Sequence, residues 1–190
     1  MARCWQRNFQ LRNTARVIHS GGVVAYPTEA VWGLGCDPLD HQAVQRLLVL
    51  KDRHWHKGVI LIGSDWSHFA DYLPKLTTEQ QQKLEQSWPG PVTWLVPHNG
   101  NVPYWITGNS ELVALRMTAH PVAAALCDLV GGAIVSTSAN PQGSQPARSA
   151  MAVHRYFGDS LDFVAPGRVG GNRTPSQIRN LLTGQVIRPG

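Results

Sequence analysis

The sequence predicts a single α/β domain over residues 1–190, with a twisted sheet of mixed parallel and antiparallel strands flanked by helices. Short apolar runs, such as residues 58–63 and 132–138, have the length of buried strands. Segments with helical spacing separate many of these runs, but the alternation is too irregular for a simple doubly wound sheet. A chain of 190 residues with 43% hydrophobic and 15% charged residues suits one globular domain.

The predicted elements follow one another along the whole chain. Helical spacing and capping residues predict helices over residues 10–20, 43–50, 66–73, 77–88, 121–130 and 148–157. Asp40 is the expected N-cap of the second helix, and Thr77 or Thr78 that of the fourth. Strands are predicted at residues 23–26, 58–63, 91–96, 111–117 and 132–138, with two short ones in the last thirty residues. Residues 33–35 (Gly-x-Gly) read as a turn.

Cysteine usage and hydropathy predict a soluble, cytoplasmic protein. The three cysteines show no C-x-x-C spacing, and no apolar leader is visible near the N-terminus, so reduced thiols are expected. No apolar run approaches the ~20 residues that cross a bilayer.

The positive charge is concentrated at the two ends. The formal net charge is +5, with four arginines and no acid before Glu29 and again four arginines and no acid after Asp162. If the two ends meet in space, they form a basic face that suits RNA or another polyanion. A solvated basic surface without a partner is the alternative.

Several familiar chemistries are excluded by their missing motifs. The chain has no G-x-x-x-x-G-K-[ST], G-x-G-x-x-G, H-E-x-x-H or G-x-S-x-G. His54 and His56 lie two residues apart but lack acidic neighbours, so a loop is favoured there and no protein-held metal is predicted.

Polar and charged groups do stand at the ends of apolar segments. Lys51 and Arg53, if extended, project to one side and can grip a polyphosphate, although a solvated surface is the alternative. Ser136, Ser138 and Asn140 alternate at the end of a strand, where they either face a polar ligand or cap a turn. Further along, Arg116 ends an apolar strand and needs an anion, either a substrate carboxylate or an internal Asp or Glu.

Together these segments resemble the YrdC-like family of threonylcarbamoyl-AMP synthases. "YPTEAVWGLGCDP" is similar to the P-T-E signature of that family, "KDR" to its K-x-R, and "SWPGPVT" to its W-P-G-P-[LV]-T. "VALR", "STSAN" followed by Gly143, and "TPSQI" are similar to its later motifs, in family order. Departures from the pattern occur at Ala30, Gly58, Thr118 and Gln177.

The resemblance implies the YrdC-like fold with a concave ligand cleft, and a nucleotidyltransferase reaction. L-threonine, bicarbonate or CO2 and ATP would give threonylcarbamoyl-AMP and pyrophosphate, for the t6A modification of tRNA. The expected ATP-binding residues are Lys51, Arg53, Ser138, Asn140 and Arg188, of which the first two are also the expected catalytic residues. The threonine pocket is expected to consist of Thr28, Arg116 (on the carboxylate), Ser136 and Ser176.

Further expectations concern the backbone around the ligand, the metal ion and the partners of the protein. Gly33 and Gly35 are expected to let backbone approach the ligand, and Glu29 to hold a neighbouring base or loop. Mg2+ is expected to arrive with ATP, and the product to pass to downstream t6A transferase proteins, with no membrane involved. The alternatives are a non-catalytic RNA-binding protein that acts on tRNA or ribosomal RNA, and a carbamoyl-phosphate-type transferase or acyl-adenylate hydrolase.

Overall fold

The computed structural model describes residues 2–190, and their side chains from Cys4 onward. Its α-helices are α1 (Ala2–Trp5), α2 (Phe9–His19), α3 (His41–Leu50), α4 (Thr78–Glu85), α5 (Tyr104–Thr107), α6 (Pro121–Val130) and α7 (Ala150–Phe157). Single 3-10 turns occur at Trp55–Lys57, Trp66–Phe69 and Gly158–Ser160.

Nine strands form one sheet within the described chain. They are β1 (Val24–Pro27), β2 (Trp32–Gly35), β3 (Ile60–Gly63), β4 (Val92–Pro97), β5 (Leu112–Met117), β6 (Ile134–Ser138), β7 (Phe163–Val164), β8 (Gln177–Asn180) and β9 (Val186–Arg188), in the order β7-β1-β2-β6-β3-β5-β4-β8-β9. Pairs β1/β7, β3/β5 and β4/β8 are parallel, and the others are antiparallel. The predicted mixed α/β sheet is confirmed.

Local sequence explains the helix boundaries. Asp40 accepts hydrogen bonds from the backbone of Gln42 and Ala43, as predicted. Of the two predicted caps of α4, Thr77 is the N-cap, and it forms a reciprocal capping box with Gln80. The predicted helix at 66–73 is only a 3-10 turn, in which Asp65 accepts from the backbone of Ser67. Pro74 follows directly and disfavours helical dihedrals at Leu73, and the turn closes through i to i−3 bonds such as Ala70 N to Ser67 O at 3.3 Å.

Successive residues of the strands face two separate cores. Val24 and Tyr26 of β1 pack with α2 and α6, whereas Ala25 points into the cluster that contains α3. The segment predicted as a Gly-x-Gly turn is instead the strand β2, which pairs with β1 through the tight connection at residues 28–31. The pattern prediction was wrong there because two glycines inside a strand resemble turn residues.

The C-terminal arginines do not all lie on one side of the sheet. Helix α2 packs on α6, β1 and β7, and the segment with Arg168 follows β7 and passes beside Trp5 of α1. Arg179 and Arg188 lie on β8 and β9 at the other end of the strand order, so the two basic ends do not form one common face. Between residues 2 and 190, the helices are all too short or too polar to cross a bilayer.

Candidate active site

A cavity of about 660 Å3 collects most of the residues that the sequence singled out. Strands β2, β3, β5, β6, β8 and β9 contribute to its wall, together with the β1–β2 connection. The predicted site residues in its lining are Thr28, Arg53, Arg116, Ser136, Ser138, Ser176 and Arg188. Lys51 and Asn140 lie directly beside it, in contact with the Ser138 segment.

Arg116 is held by an internal carboxylate. It is 7% exposed, and its Nη1 donates to Glu29 Oε2 at 3.0 Å. Glu29 Oε1 accepts from Thr118 Oγ1 at 2.7 Å and from the Ala119 amide at 3.0 Å. Burial raises the pKa of Glu29, but Arg116 and the hydrogen bond from Thr118 outweigh it, so this pKa lies below its usual value. Glu29 therefore stays ionised and fixes the guanidinium.

Arg116 keeps donor capacity for a ligand after this pairing. Its Nε is buried without a hydrogen-bond partner among the described residues, and the side chain lines the cavity. A buried unsatisfied donor costs roughly 1–3 kcal/mol, so such an atom is normally found where a ligand or water completes the bonding. The two anions considered from the sequence, an internal carboxylate and a substrate carboxylate, therefore both fit. Glu29 binds one side of the guanidinium and leaves donors for an incoming anion.

The end of β6 is braced from behind by Lys51. Lys51 Nζ donates to the backbone oxygens of Ser138 and, at 2.8 Å, of Asn140. Ser138 Oγ donates to Asn140 Oδ1 at 2.6 Å, and Asn140 Nδ2 donates to Ser144 O at 2.8 Å. Burial, followed by the neighbouring Arg53, lowers the pKa of Lys51 to about 8. This ammonium both orders the polar segment and places positive charge behind it.

The expected extended geometry of the K-x-R segment is wrong. Lys51 is the C-cap of α3 with helical dihedrals, and Asp52 follows with a φ of +49°. Arg53 turns back onto its own loop, with Nη2 donating to Lys57 O at 3.1 Å and to Gly58 O at 2.8 Å. The two cations thus reach the same region by different routes, Arg53 in the cavity wall and Lys51 behind it.

The cavity is electropositive. Its lining includes Arg53, Lys57, Arg116 and Arg188, while Glu29 is the one carboxylate in that lining. Burial lowers the pKa of Arg53, and the charge of Arg188 lowers it further. Burial likewise lowers the pKa of Arg188, with Arg116 as the second cause. Three guanidinium groups in mutual range favour an anionic ligand.

Serine and threonine hydroxyls of distant segments meet at the same cavity. Ser176 Oγ lies 2.9 Å from Thr93 Oγ1, which joins the "TPSQI" and "WPGPVT" segments. Arg188 Nη2 donates to Ser176 O at 2.6 Å. Thr28 Oγ1 donates to Val31 O at 2.7 Å, closing the β1–β2 connection and leaving its lone pairs for a donor. Ser136 lines the cavity beside the buried Tyr26, whose hydroxyl donates to Val135 O at 3.1 Å and whose pKa is raised by burial.

The two glycines of β2 serve different purposes. Gly33 lines the cavity, as expected of a residue that lets ligand approach the backbone. A Cβ on Gly35 would lie 2.5 Å from Val135 O and 2.7 Å from Tyr26 Cε1, so its role is sheet packing. The ligand role expected for Gly35 is therefore corrected.

Residues 170–176 cross over the P-T-E segment. The Gly170 and Asn172 amides donate to the backbone oxygens of Thr28 (2.9 Å) and Glu29 (3.1 Å). A Cβ on Gly170 would be 2.7 Å from Glu29 O, so glycine allows this crossing. Sequence reasoning missed the crossing, along with the cavity residues His56, Asn109 and Asn172. The Gly170-Gly171 pair was its only local signal.

Comparison with known proteins places the chain in a family. The model of the Sua5/YciO/YrdC family, described as "Telomere recombination", matches residues 16–190. The chain belongs to this family. It is 54% identical over 185 residues to the threonylcarbamoyl-AMP synthase of Cellvibrio japonicus, covering 97% of this chain and 98% of that one. Identity to the synthase of Halorhodospira halophila is 50% over 182 residues, 96% and 95% of the two chains.

Solved structures of this family share the fold. Sua5 of P. abyssi complexed with L-threonine superposes with a TM-score of 0.89 at 31% identity, over 95% of this chain and 54% of that one. This chain thus spans about half the length of that Sua5. YciO of E. coli superposes with a TM-score of 0.82 at 22% identity, over 94% and 87%.

Proposed function

We propose that this family member is a threonylcarbamoyl-AMP synthase, which converts L-threonine, bicarbonate or CO2 and ATP into threonylcarbamoyl-AMP and pyrophosphate. The observation that carries the proposal is the 54% identity to a synthase of that name across nearly the full length of both chains. The cavity supports it chemically, because it combines several cations with hydroxyl groups.

The threonine end is assigned to the wall around Arg116. The guanidinium, held by Glu29, binds the carboxylate in a geometry fixed before substrate arrives. Thr28, Ser136 and Ser176 provide the nearby hydroxyls for the ammonium and side-chain hydroxyl of threonine. P. abyssi Sua5, a structure of the same fold, contains L-threonine.

The ATP end is assigned to the wall that carries Arg53 and Arg188. Both guanidinium groups already use some donors on backbone oxygens, which orients the remaining N–H groups for phosphate. Ser138 presents its side chain to the cavity, while Asn140 and Lys51 order and charge the segment behind it. Lys51 and Arg53 remain the proposed catalytic pair. Lys51 acts by its positive charge on the phosphates nearest the end of β6.

The chemistry requires positioning more than a covalent group. The threonine ammonium first loses a proton. The free amine then attacks the carbon of CO2 to give a carbamate with loss of a second proton, or attacks bicarbonate to give the same carbamate with loss of water. A carbamate oxygen then attacks the α-phosphorus, and the bond to the β-phosphate breaks to release pyrophosphate. Arg53, Arg188 and Lys51 stabilise the charge that develops on the phosphate oxygens.

ATP is proposed to enter as its Mg2+ complex. Among residues 2–190 no cluster of three His, Cys, Asp or Glu side chains is placed to hold a metal, and the cavity carboxylate is engaged by Arg116 and Thr118. The cavity residues fit a Mg2+ that would be held by phosphate oxygens and water, and the ion would neutralise charge on the phosphates.

The proposed setting is the cytoplasm, where downstream t6A transferase proteins consume the product. The three cysteines are free, with Cys36 and Cys127 buried, which suits a reducing compartment. The alternative of a non-catalytic RNA-binding protein acting through basic ends has no support, since Arg179 and Arg188 lie at the end of the strand order far from α1 and α2.

The proposal is tested by incubating the protein with ATP, bicarbonate and each amino acid in turn, then measuring pyrophosphate. Release should depend on threonine and on bicarbonate together. Pyrophosphate release without any amino acid would indicate the hydrolase. Release of inorganic phosphate from carbamoyl phosphate, supplied in place of bicarbonate and ATP, would indicate the carbamoyl-phosphate-type alternative.

A further inference from the structure

A buried hydroxyl lies behind the wall of the cavity without forming part of its surface. Thr118 follows the end of β5, two residues after Arg116, and its exposed fraction is 2%. The residues that line the cavity include Arg116 but not Thr118, so this hydroxyl does not contact a ligand there. A buried hydroxyl is normally hydrogen-bonded, and the partners of Thr118 indicate what it does.

The position and the direction of this hydroxyl are both fixed. The Thr118 amide donates to Gly63 O at 2.9 Å, which holds the backbone of Thr118 against the end of β3. The His120 amide donates to Thr118 Oγ1 at 3.1 Å. Glu29 is ionised and can only accept, so the single hydroxyl proton of Thr118 points to Glu29 Oε1, 2.7 Å away.

The direction of Arg116 depends on this arrangement, because a single hydrogen bond joins it to Glu29. That bond runs from Nη1 to Oε2, so the pair lacks the two parallel bonds that orient a guanidinium by themselves. The plane of the carboxylate is set through its other oxygen, Oε1, by Thr118 and by the Ala119 amide at 3.0 Å. A rotation of this carboxylate would turn the guanidinium that faces the cavity.

We propose that Thr118 is a positioning residue for the carboxylate of the amino-acid substrate, and that it acts through Glu29 and Arg116. The proposal rests on the threonine site proposed above. With the hydroxyl in place, the guanidinium meets the carboxylate in one orientation, which holds the substrate nitrogen in one place for its attack on carbon. The alternative is a hydroxyl that only satisfies the His120 amide at the start of α6 and leaves substrate binding unaffected.

Thr118→Val tests the proposal, because valine keeps the shape of the side chain and removes the hydroxyl. Threonine-dependent pyrophosphate release gives the KM for each substrate. The KM for threonine should rise at least about fivefold, since a hydrogen bond to a charged group commonly changes an equilibrium by about tenfold or more. The KM for ATP should change less than about twofold, because the hydrogen bonds of Arg53 and Arg188 do not involve Thr118 or Glu29.

Two further variants complete the comparison. Thr118→Ser keeps the hydroxyl, and its KM for threonine should stay within about twofold of wild type. Thr14→Val is the matched control for the loss of a buried threonine hydroxyl. Thr14 is fully buried in α2, where its Oγ1 donates to Gln10 O at 2.9 Å. Its replacement should leave the KM for threonine unchanged, whatever it does to the melting temperature.

Two results would overturn the positioning role. One is the same KM for threonine in Thr118→Val and wild type, and the other is a rise in the KM for ATP as large as that for threonine. If circular dichroism shows that Thr118→Val does not fold, Thr118→Cys is compared with Thr118→Ser, since a thiol is a weak donor. Equal KM values for threonine in these two variants would also overturn the role. Wild-type protein without threonine-dependent pyrophosphate release would instead contradict the proposed reaction, and the threonine site with it.

Discussion

Glu29 Oε2 lies 3.0 Å from Arg116 Nη1, and both residues are buried at the wall of the cavity. The same carboxylate accepts hydrogen bonds from Thr118 Oγ1 and the Ala119 amide, so it connects the P-T-E segment to the end of β5 and the start of α6. The pair sets the direction of the guanidinium in the absence of substrate. Binding then costs little reorganisation.

Arg116→Lys should raise the KM for threonine by at least about tenfold. A lysine keeps the charge, but its single ammonium cannot hold Glu29 and present a planar set of donors to a carboxylate. Steady-state kinetics with threonine as the varied substrate measures the effect. Arg46→Lys is the matched control, because Arg46 pairs with Asp162 at the exposed surface and lies outside the cavity lining. An unchanged KM in Arg116→Lys would remove Arg116 from the carboxylate site.

Glu29→Gln should lower the free energy of unfolding by about 3 kcal/mol, since removal of one partner leaves a buried charge uncompensated. Urea denaturation at pH 7 measures this change. L-threonine should stabilise the variant by the same amount as it stabilises wild type, provided that the carboxylate of threonine still reaches Arg116. A loss below about 0.5 kcal/mol would show that the pair is not needed to hold Arg116.

ATP affinity should fall as the pH rises above about 8. The pKa of Lys51 is lowered to about 8 by burial and by Arg53, so its charge is present below that pH and lost above it. Calorimetric titration with ATP between pH 7 and pH 9.5 measures the trend without the carbonate equilibrium. Lys51→Arg stays charged and should give a flat profile. The same decline in both proteins would assign the titration to another group.

His120 should make folding sensitive to mild acid. Its Nδ1 accepts from the Ala123 amide as the N-cap of α6, and its Nε2 donates to Arg168 O at 3.0 Å. Burial lowers its pKa below the usual 6.5, so the fold favours the neutral ring. The stability that the neutral His120 ring contributes to the fold is complete above about pH 6.5, and it is lost as the pH falls through the lowered pKa.

A cap that does not titrate gives the control for this prediction. His120→Asn keeps a good N-cap and should be less stable than wild type at pH 7.5, because the bond to Arg168 O is lost. The difference between the two proteins should shrink by pH 5.5. If the difference is constant across this range, His120 does not titrate with folding.

Sequence reasoning located the longer helices and most strands because their signals are local, but it missed the four-residue helices α1 and α5. The caps at Asp40 and Thr77 and the strand-end residues Ser136 and Arg116 can be read from a few neighbouring positions. The same reasoning misread β2, in which Gly35 is required by packing against Tyr26 and Val135. That requirement comes from strands that are distant in sequence.

The candidate site was predicted as a set of residues, but not as a network. Glu29 as the partner of Arg116, the Thr93–Ser176 contact and the position of Lys51 behind β6 all join residues more than 80 positions apart. Periodicity cannot supply such pairings. The K-x-R motif shows this directly, since its expected extended geometry failed although both side chains do reach the site region.

The central claim is that one cavity joins threonine, the carbon of bicarbonate or CO2, and the α-phosphate of ATP. Following the label of 13C-bicarbonate tests this claim most directly. Incubation with threonine and ATP should transfer the label into a carbamoyl carbon attached to both the threonine nitrogen and AMP, seen by NMR and by mass. Arg53→Ala should form none of this product. Pyrophosphate release without labelled threonylcarbamoyl-AMP in the wild-type protein would contradict the account.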